Sequence, residues 1–434
     1  MKNYSKQIKN NLLSIIHQMS VSSESYVKNP GKDFTRNRKL DFESTIKLIV
    51  SMGGNSIKKE LHEFFNYNED TCSSPAFCQQ RNKILCYAFE SLLQQFTNSF
   101  DKIKLYKLYR LLAADGSDLN IYHNPNDPET YIRHGCNDKG YNSLHLNGLY
   151  DLINKFYLDA IVQPAKQMNE YRALVDMVDR SNIPGNVIVT ADRGYESYNV
   201  LAHISQKGWK YVIRVKDINS NGIVGALELP DSDEFDINVT LNLTRKQTKE
   251  VKEHPELYKY LHKGVPFDYL DSDHLFYAVS FRVVRIKISE NTYETILTNL
   301  DELSFPSAEI KALYYLRWGI ETSFRELKYA IGLTSFHSKK VEYITQEIFA
   351  RLVMYNFCEM ITMQVIIKKK DTKHGYQANF TVAIDICIRY FRCNSHPPNV
   401  EALIQKNILP IRHERTFPRH IRRGRTVSFT YRVA

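Results

Sequence analysis

The spacing of apolar positions changes along the chain, and each change marks a different kind of element. From Phe42 to Phe100 apolar residues recur every three or four positions, as in F-E-S-T-I-K-L-I-V-S-M and S-I-K-K-E-L-H-E-F-F, the pattern of helices with one buried face. A short helix is expected ahead of them, over about residues 8 to 19, followed by a basic connector broken at Asn29, Pro30 and Gly31. After turn signals from Asp70 to Pro75, the run S-P-A-F-C-Q-Q-R-N-K-I-L predicts a third helix, with Ser74 as N-cap and Pro75 as first helical residue. It carries Gln79, Gln80, Arg81 and Lys83 on its polar faces. Helix, turn and polar-faced helix is the outline of a small DNA-reading unit, and equally of a plain bundle with a solvated face.

From about Lys107 the period falls to that of strands. L-Y-R-L-L-A-A-D ends in Asp115, and Gly116 and Ser117 predict a turn there. Residues 124–140, rich in Pro, Asn, Asp and Gly, read as a loop. S-L-H-L-N-G-L-Y and F-Y-L-D-A-I-V-Q, separated by a turn near Asp151 to Lys155, form a hairpin. A helix over about Lys166 to Arg180 leads to N-V-I-V-T-A and a second strand-end acid, Asp192; a helix near Ser197 to Gln206 and the strand Y-V-I-R-V-K follow. The order β, β, β, α, β, α, β predicts an α/β fold with a mixed sheet faced by helices.

Around Asp217 the pattern changes again. An acidic cluster, a basic cluster and alternating strands to about Glu290 predict a mainly β insertion. Pro306 then opens one helix from about Ser307 to about Ile331, closing at Gly332. A long apolar helix over Thr345 to Ile367, a charged linker and an arginine-rich end from Arg412 complete the chain. On the helix from Ser307, the polar residues Tyr314, Arg317, Glu321 and Lys328 fall within an arc of about 60°. Leu313, Leu316, Ile320, Phe324, Leu327 and Ile331 form the apolar face beside them. Glu326 projects to the far side as a solvated residue, and Trp318 reads as a packing residue outside the stripe. Taken alone, Arg317 and Glu321 are equally an ordinary helix pair worth a few tenths of a kcal/mol.

Composition narrows the partners. The chain has 434 residues, too many for one ordinary core, and a formal net charge of +10, which favours a polyanionic partner. No apolar run approaches the roughly 18 to 20 residues of a membrane span, and the first residues lack the features of a signal peptide, so a cytoplasmic location is expected. Seven cysteines form no CxxC pair and no Cys/His zinc spacing; reduced, mostly buried thiols are expected.

Asp115, Asp192 and Glu321 supply three carboxylates. If the two strands are parallel neighbours, their C-terminal ends place Asp115 and Asp192 side by side, where α/β sheets commonly hold their sites. Three converging acids repel one another unless a divalent cation neutralises them, and hard oxygen donors without His or Cys favour Mg²⁺ or Mn²⁺. Two such ions activate a water or hydroxyl and stabilise the leaving oxygen of a phosphodiester, so the chemistry implied is phosphoryl transfer on a nucleic acid. Each aspartate alone is more readily a strand-end cap or turn residue, the role expected of Asp118.

The full motif set resembles the DDE transposases of the bacterial "insertion sequence four" family, whose signature is Tyr, two residues, Arg, three residues, Glu, six residues, Lys. Tyr314, Arg317, Glu321 and Lys328 match that spacing. D-G-S at Asp115, D-R-G-Y at Asp192 and S-P-A-F-C-Q-Q-R at Ser74 are similar to the family's other motifs, and the resemblance covers most of residues 40–360. It implies an RNase H-like catalytic core (residues 106–216 and 301–367) interrupted by a β-rich insertion domain (217–300). A helical DNA-binding domain (1–105) precedes the core, and a helical, basic C-terminal region (368–434) follows it. The implied function is excision and strand transfer of an insertion sequence. Asp115, Asp192 and Glu321 would bind two Mg²⁺ or Mn²⁺ ions. Tyr314, Arg317, Lys328 and Arg193 would contact phosphates, and Gln79, Gln80 and Arg81 the terminal inverted repeats. The partners implied are double-stranded DNA, both element ends and target, and a second copy of the chain on DNA, with no membrane and no small-molecule substrate. In the family an aromatic side chain of the insertion stacks on a flipped base. The tryptophans here, Trp209 and Trp318, lie outside the insertion, which leaves Tyr269, Phe276 and Tyr277 for that role. Three other readings stay open: a catalytically silent DNA-binding descendant, a metal-dependent nuclease without strand transfer, and a basic multidomain scaffold that does not act on nucleic acid.

Overall fold

A computed structural model describes residues 4–135, 139–290, 292–365, 375–393 and 396–411. It opens with helices α1 (Tyr4–Val21), α2 (Phe42–Ser51), α3 (Ile57–Phe64), α4 (Ser74–Arg81) and α5 (Tyr87–Asn98). Asp41 and Ser56 cap α2 and α3 through their side chains. The cap of α4 is Ser73, one residue earlier than expected, with Pro75 in the first turn.

The sheet region follows: β1 (Tyr109–Ile121), β2 (Tyr131–Ile132), β3 (Tyr141–Asp151), β4 (Phe156–Pro164), α6 (Glu170–Asp179), β5 (Asn186–Ala191), α7 (Tyr198–Gln206), β6 (Lys210–Val215), β7 (Phe235–Thr244), α8 (Lys249–Glu253), β8 (Tyr258–Tyr260), β9 (Phe276–Ser289) and β10 (Thr292–Thr298). Among the described residues these strands make one sheet in the order β2-β3-β1-β5-β6-β10-β9-β7-β8, with β4 also on β3. β1, β5 and β6 are parallel, while β3 and β4 form the expected antiparallel hairpin. β10 pairs with β6, so the strands after Asp217 continue the same sheet. Alternation along the strands serves two cores: Leu111, Ile188, Val212 and Ile296 face one cluster, and Leu112, Val187, Val189 and Ile213 the other.

β1 does not stop at Asp115, as its sequence predicts. Its antiparallel pairing with β3 runs on to Ile121, giving Gly116 and Ser117 ladder partners in Asn147 and Leu146, so no turn forms. Only the parallel pairing with β5 ends there, at Ala114 and Ala191.

The expected long helix is divided into α9 (Ser307–Leu316) and α10 (Trp318–Glu326). Arg317 between them keeps helical dihedrals, φ −50 and ψ −34. A π-helical turn, Leu327–Ile331, follows α10 and closes at Gly332, whose φ of 92 is a left-handed C-cap. Leu313, Ile320, Phe324, Leu327 and Ile331 are buried as expected, whereas Leu316 is exposed.

α11 (Val341–Thr362) is buried on nearly every side and packs against α2, α5 and β4. It is thereby the post between the N-terminal helices and the sheet. β11 (Tyr376–Ala378), α12 (Phe380–Arg392), α13 (Val400–Lys406) and β12 (Ile408–Pro410) complete the helical end. Most of the charged linker and the arginine-rich end lie outside the described residues. No described helix is long and apolar enough to cross a membrane. Of the described cysteines only Cys358 and Cys387 are buried, fewer than expected; none is in a disulfide.

Candidate active site

The parallel ladder puts Asp115 and Asp192 one residue beyond its last pair, Asp115 within β1 and Asp192 just after the end of β5. Asp115 Oδ1 accepts the Gly116 N–H at 2.9 Å. Asp192 Oδ1 accepts the Gly194 N–H at 2.6 Å and so caps the short turn Arg193–Tyr195. α10 brings the third carboxylate. Arg317, 3% exposed, donates through Nη2 to Glu321 Oε1 at 2.7 Å and through Nη1 to Asp115 Oδ2 at 3.3 Å. One guanidinium therefore joins two carboxylates that lie 206 positions apart in the sequence (321 less 115). Arg214 lies 3.9 Å from Asp192 Oδ2 and 3.0 Å from Glu294.

An open cleft of about 430 Å³ reaches this point, lined by Asp115, Gly116, Ser117, Glu321, Arg325 and Lys328 among others. Burial pushes the Asp115 carboxyl up to about 6; Asp192 and Glu321 add to the rise, while Arg317 and the Gly116 N–H oppose it. The Lys328 ammonium is lowered by burial, with Asp118 opposing.

The donor set suits a hard divalent cation, since all three groups are carboxylates. Among the described residues no group of three His, Cys, Asp or Glu side chains stands ready to hold an ion. Arg317 supplies the counter-charge between Asp115 and Glu321, so an ion would require these side chains to turn away from it.

Several expected positions are corrected. Arg81 and Gln80 are not on an open polar helix face. Arg81 is 2% exposed, donates to Gln346 at 2.9 Å and to Glu347 at 2.8 Å, and is thus spent on α11; Gln80 is buried as well. Gln79 and Arg193 are exposed. Tyr314 is buried rather than set on a surface stripe: its ring packs beside Arg317 and Arg214, and Tyr315 is the exposed neighbour. Trp318 is not a packing residue, being 46% exposed with the Arg317 guanidinium near its ring. Glu326 is not freely solvated: its Oε2 accepts the Tyr355 hydroxyl at 3.0 Å, and burial raises its carboxyl above the ordinary value. Asp118 lies within β1, 2.7 Å from His145 Nδ1, rather than in a turn. Tyr269 and Tyr277 pack with Phe267 in one aromatic cluster, whereas Phe276 is exposed.

Sequence reasoning missed His145, Glu170 and Arg214. In sequence His145 alternates with Leu144 and Leu146 alongside Ser143 and Asn147, and only the structure shows it buried and Glu170 in the first turn of α6.

Comparison with known proteins shows the family of the chain. The family model described as "Transposase DDE domain" matches residues 106–357, more than half of the chain. The transposase InsG of insertion sequence element IS4 from Escherichia coli (strain K12) is 30% identical over 142 residues, 29% of this chain and 31% of its own length. The match thus spans about a third of that relative. A cryo-EM structure of the piggyBac transposase synaptic complex with hairpin DNA superposes with a TM-score of 0.45 at 10% identity, over 88% of this chain and 77% of that one. With Asp115, Asp192 and Glu321 all falling inside the matched residues, this chain belongs to the transposase DDE-domain family, with its sequence likeness to the insertion-sequence-four type.

Proposed function

We propose that this protein excises an insertion sequence and joins it to target DNA, by metal-dependent phosphodiester hydrolysis and transesterification at Asp115, Asp192 and Glu321. The observation that carries the reading is the end of the β1/β5 parallel ladder, one residue before both aspartates, with Arg317 joining Asp115 to Glu321. The strand sequence β4-β3-β1-β5-β6, antiparallel then parallel, supports an RNase H-like core.

Two Mg²⁺ or Mn²⁺ ions held by the three carboxylates would polarise the attacking and leaving oxygens of the phosphodiester. The chain's own cations act around them. Arg317 moves from its carboxylate partners to the phosphate, and Lys328 supports it from the same cleft, so that positive charge meets the charge that develops in the transition state. Arg193, exposed beside Asp192, holds the flanking backbone.

Residues 1–105 bind the terminal inverted repeats. With Arg81 buried, this contact passes to Gln79 and to the loop carrying Lys32, Arg36 and Arg38, which together with Gln80 and Lys83 lines a basic cleft of about 380 Å³. Pairing of two element ends requires two copies of the chain on DNA.

The test uses DNA carrying the inverted repeats that flank the coding region. Asp192→Ala is expected to bind it as the wild type does, with affinity falling steeply as salt rises, and to lose Mg²⁺-dependent cleavage on the order of 10³-fold. Joining of a labelled 3′ end to a second duplex separates transposition from simple hydrolysis. Undiminished cleavage by Asp192→Ala would overturn the assignment of the site.

A further inference from the structure

A second charged cluster packs against the chain that follows each aspartate. His145 on β3 is 5% exposed, with Nδ1 2.7 Å from Asp118 Oδ1 and Nε2 3.0 Å from Glu170 Oε1. Both ring nitrogens face carboxylate oxygens, so both donate and the ring is an imidazolium. Burial works against that charge, but the hydrogen bonds to Asp118 and Glu170 push its pKa up to about 9.

The two motif glycines mark where this cluster touches the site. A Cβ on Gly116 would stand 2.2 Å from His145 Nε2 and 2.5 Å from Glu170 Oε1. A Cβ on Gly194 would stand 3.2 Å from Glu170 Oε2 and 2.9 Å from Asp192 Oδ1. One oxygen of Glu170 thus lies against the residue after Asp115, and the other against the turn after Asp192. Tyr195, in the same turn, is buried, and its hydroxyl has no hydrogen-bond partner among the described residues. Burial first, then Glu170, Asp115 and Asp192, raise that hydroxyl well above its ordinary value, with Arg317 opposing.

We propose that Glu170, held by His145, is a positioning residue of the carboxylate site, bracing the chain at Gly116 against the chain at Gly194 and so setting the separation of Asp115 and Asp192. The proposal rests on the function above, because that separation matters only if the two aspartates share an ion. Glu170 reaches this place from the first turn of α6, an element that contributes no other residue to the site, and His145 reaches it from β3. Neither needs to touch DNA. Gly116 and Gly194 are then glycine for packing reasons: a side chain at Gly116 would displace the brace, and one at Gly194 would crowd both the brace and Asp192.

The test is made on the full chain with Mn²⁺ as probe. Mn²⁺ binding is followed without DNA by electron paramagnetic resonance, and cleavage is followed separately as kcat and KM. Glu170→Ala is expected to weaken Mn²⁺ binding and lower kcat by roughly 10- to 100-fold each, with KM for DNA unchanged, as loss of an outer partner of a metal site does. Glu170→Gln, which can still accept from His145 and fills the same space, is expected to recover both to within about threefold. If Glu170→Ala does not fold, Glu170→Asp, one methylene short of His145, takes its place. A variant that melts earlier yet binds Mn²⁺ and turns over like the wild type would overturn the proposal, because the cluster would then be merely structural. A wild-type protein that neither binds Mn²⁺ nor cuts DNA would remove the proposed function instead.

Discussion

Glu347 sits among Arg81, Arg351 and His337, whereas Asp115 sits between a single arginine, Arg317, and two further acids, Asp192 and Glu321. Glu347 is enclosed by the fold and Asp115 is half-buried at the edge of the cleft, and burial pushes both upward. At Glu347 the charge of His337, then that of Arg81, with the His337 hydrogen bond, overcome burial and hold the carboxyl well below its usual range. At Asp115 the cations are too few, and the carboxyl stays raised at about 6. The first cluster is complete in itself. It ties α4 to α11, and Arg351 carries the tie to the carbonyl of Gly332 at 2.7 Å, the end of the segment that bears Glu321. Among the described residues the second has only Arg317 against Asp115, and it opens on a cleft that Arg325 and Lys328 line. An ion cluster closed in all directions holds a fold together, and one left short of cations is a place where a cation or a polyanion's counter-charge can enter.

The largest expected effect breaks the closed cluster. Arg81→Met leaves Glu347 short of a partner in the core and should cost about 3 to 5 kcal/mol of stability, read from denaturant unfolding. Arg317→Met removes an arginine just as buried but beside a solvent-open cleft. It should cost less than about 2 kcal/mol while lowering DNA cleavage on the order of 10²-fold. Equal stability losses in the two variants would erase the distinction drawn here.

The two clusters should also respond to pH with opposite sign. Asp115 has a raised folded-state pKa, so from about pH 4 to about pH 6 the folded chain binds more protons than the unfolded one, and stability falls as pH rises. The change is at most about 3 kcal/mol. Glu347 is depressed, so its contribution is present above the ordinary carboxylate range and is lost as pH falls below it. Asp115→Asn should therefore raise the melting temperature at pH 7 and flatten the slope between about pH 4 and 6; an unchanged slope would show that Asp115 does not carry it.

Smaller effects sharpen the boundary of the site. Gly116→Ala forces a Cβ into His145 and Glu170 and should cost about 1 to 3 kcal/mol by overpacking, with a further loss of cleavage measured per folded molecule. Trp318→Ala, at a half-exposed ring, should change stability by less than about 1 kcal/mol, against about 2 to 5 kcal/mol for Ile320→Ala two residues on. A large loss at Trp318 would restore it as a packing residue.

Local patterning went far in this chain. The helical period up to Phe100, the hairpin after Gly140, the strands before Asp192 and at Tyr211, and the close at Gly332 were all legible, because each depends on residues a few positions apart. The readings that missed needed a distant partner. Asp115 followed by Gly and Ser looks like a turn until β3 supplies hydrogen bonds beyond it. Arg81 looks like a DNA contact until α11, more than 250 residues later, sets Glu347 against it. Glu326 and Trp318 exchanged their expected surroundings because packing of the segment after Pro306 is decided by what lies across from it, with Tyr355 burying one side and solvent left on the other.

By itself the sequence determined the elements, the three acids and the spacing from Tyr314 to Lys328, all of which follow from backbone periodicity and residue type. Only the tertiary structure decided that the parallel ladder ends beside both aspartates, that Arg317 spans Asp115 and Glu321, and that Glu170 and His145 stand behind the two glycines. These are contacts between segments tens to hundreds of residues apart. The free energy that brings them together lies in burial and charge pairing across the fold, which no local pattern encodes.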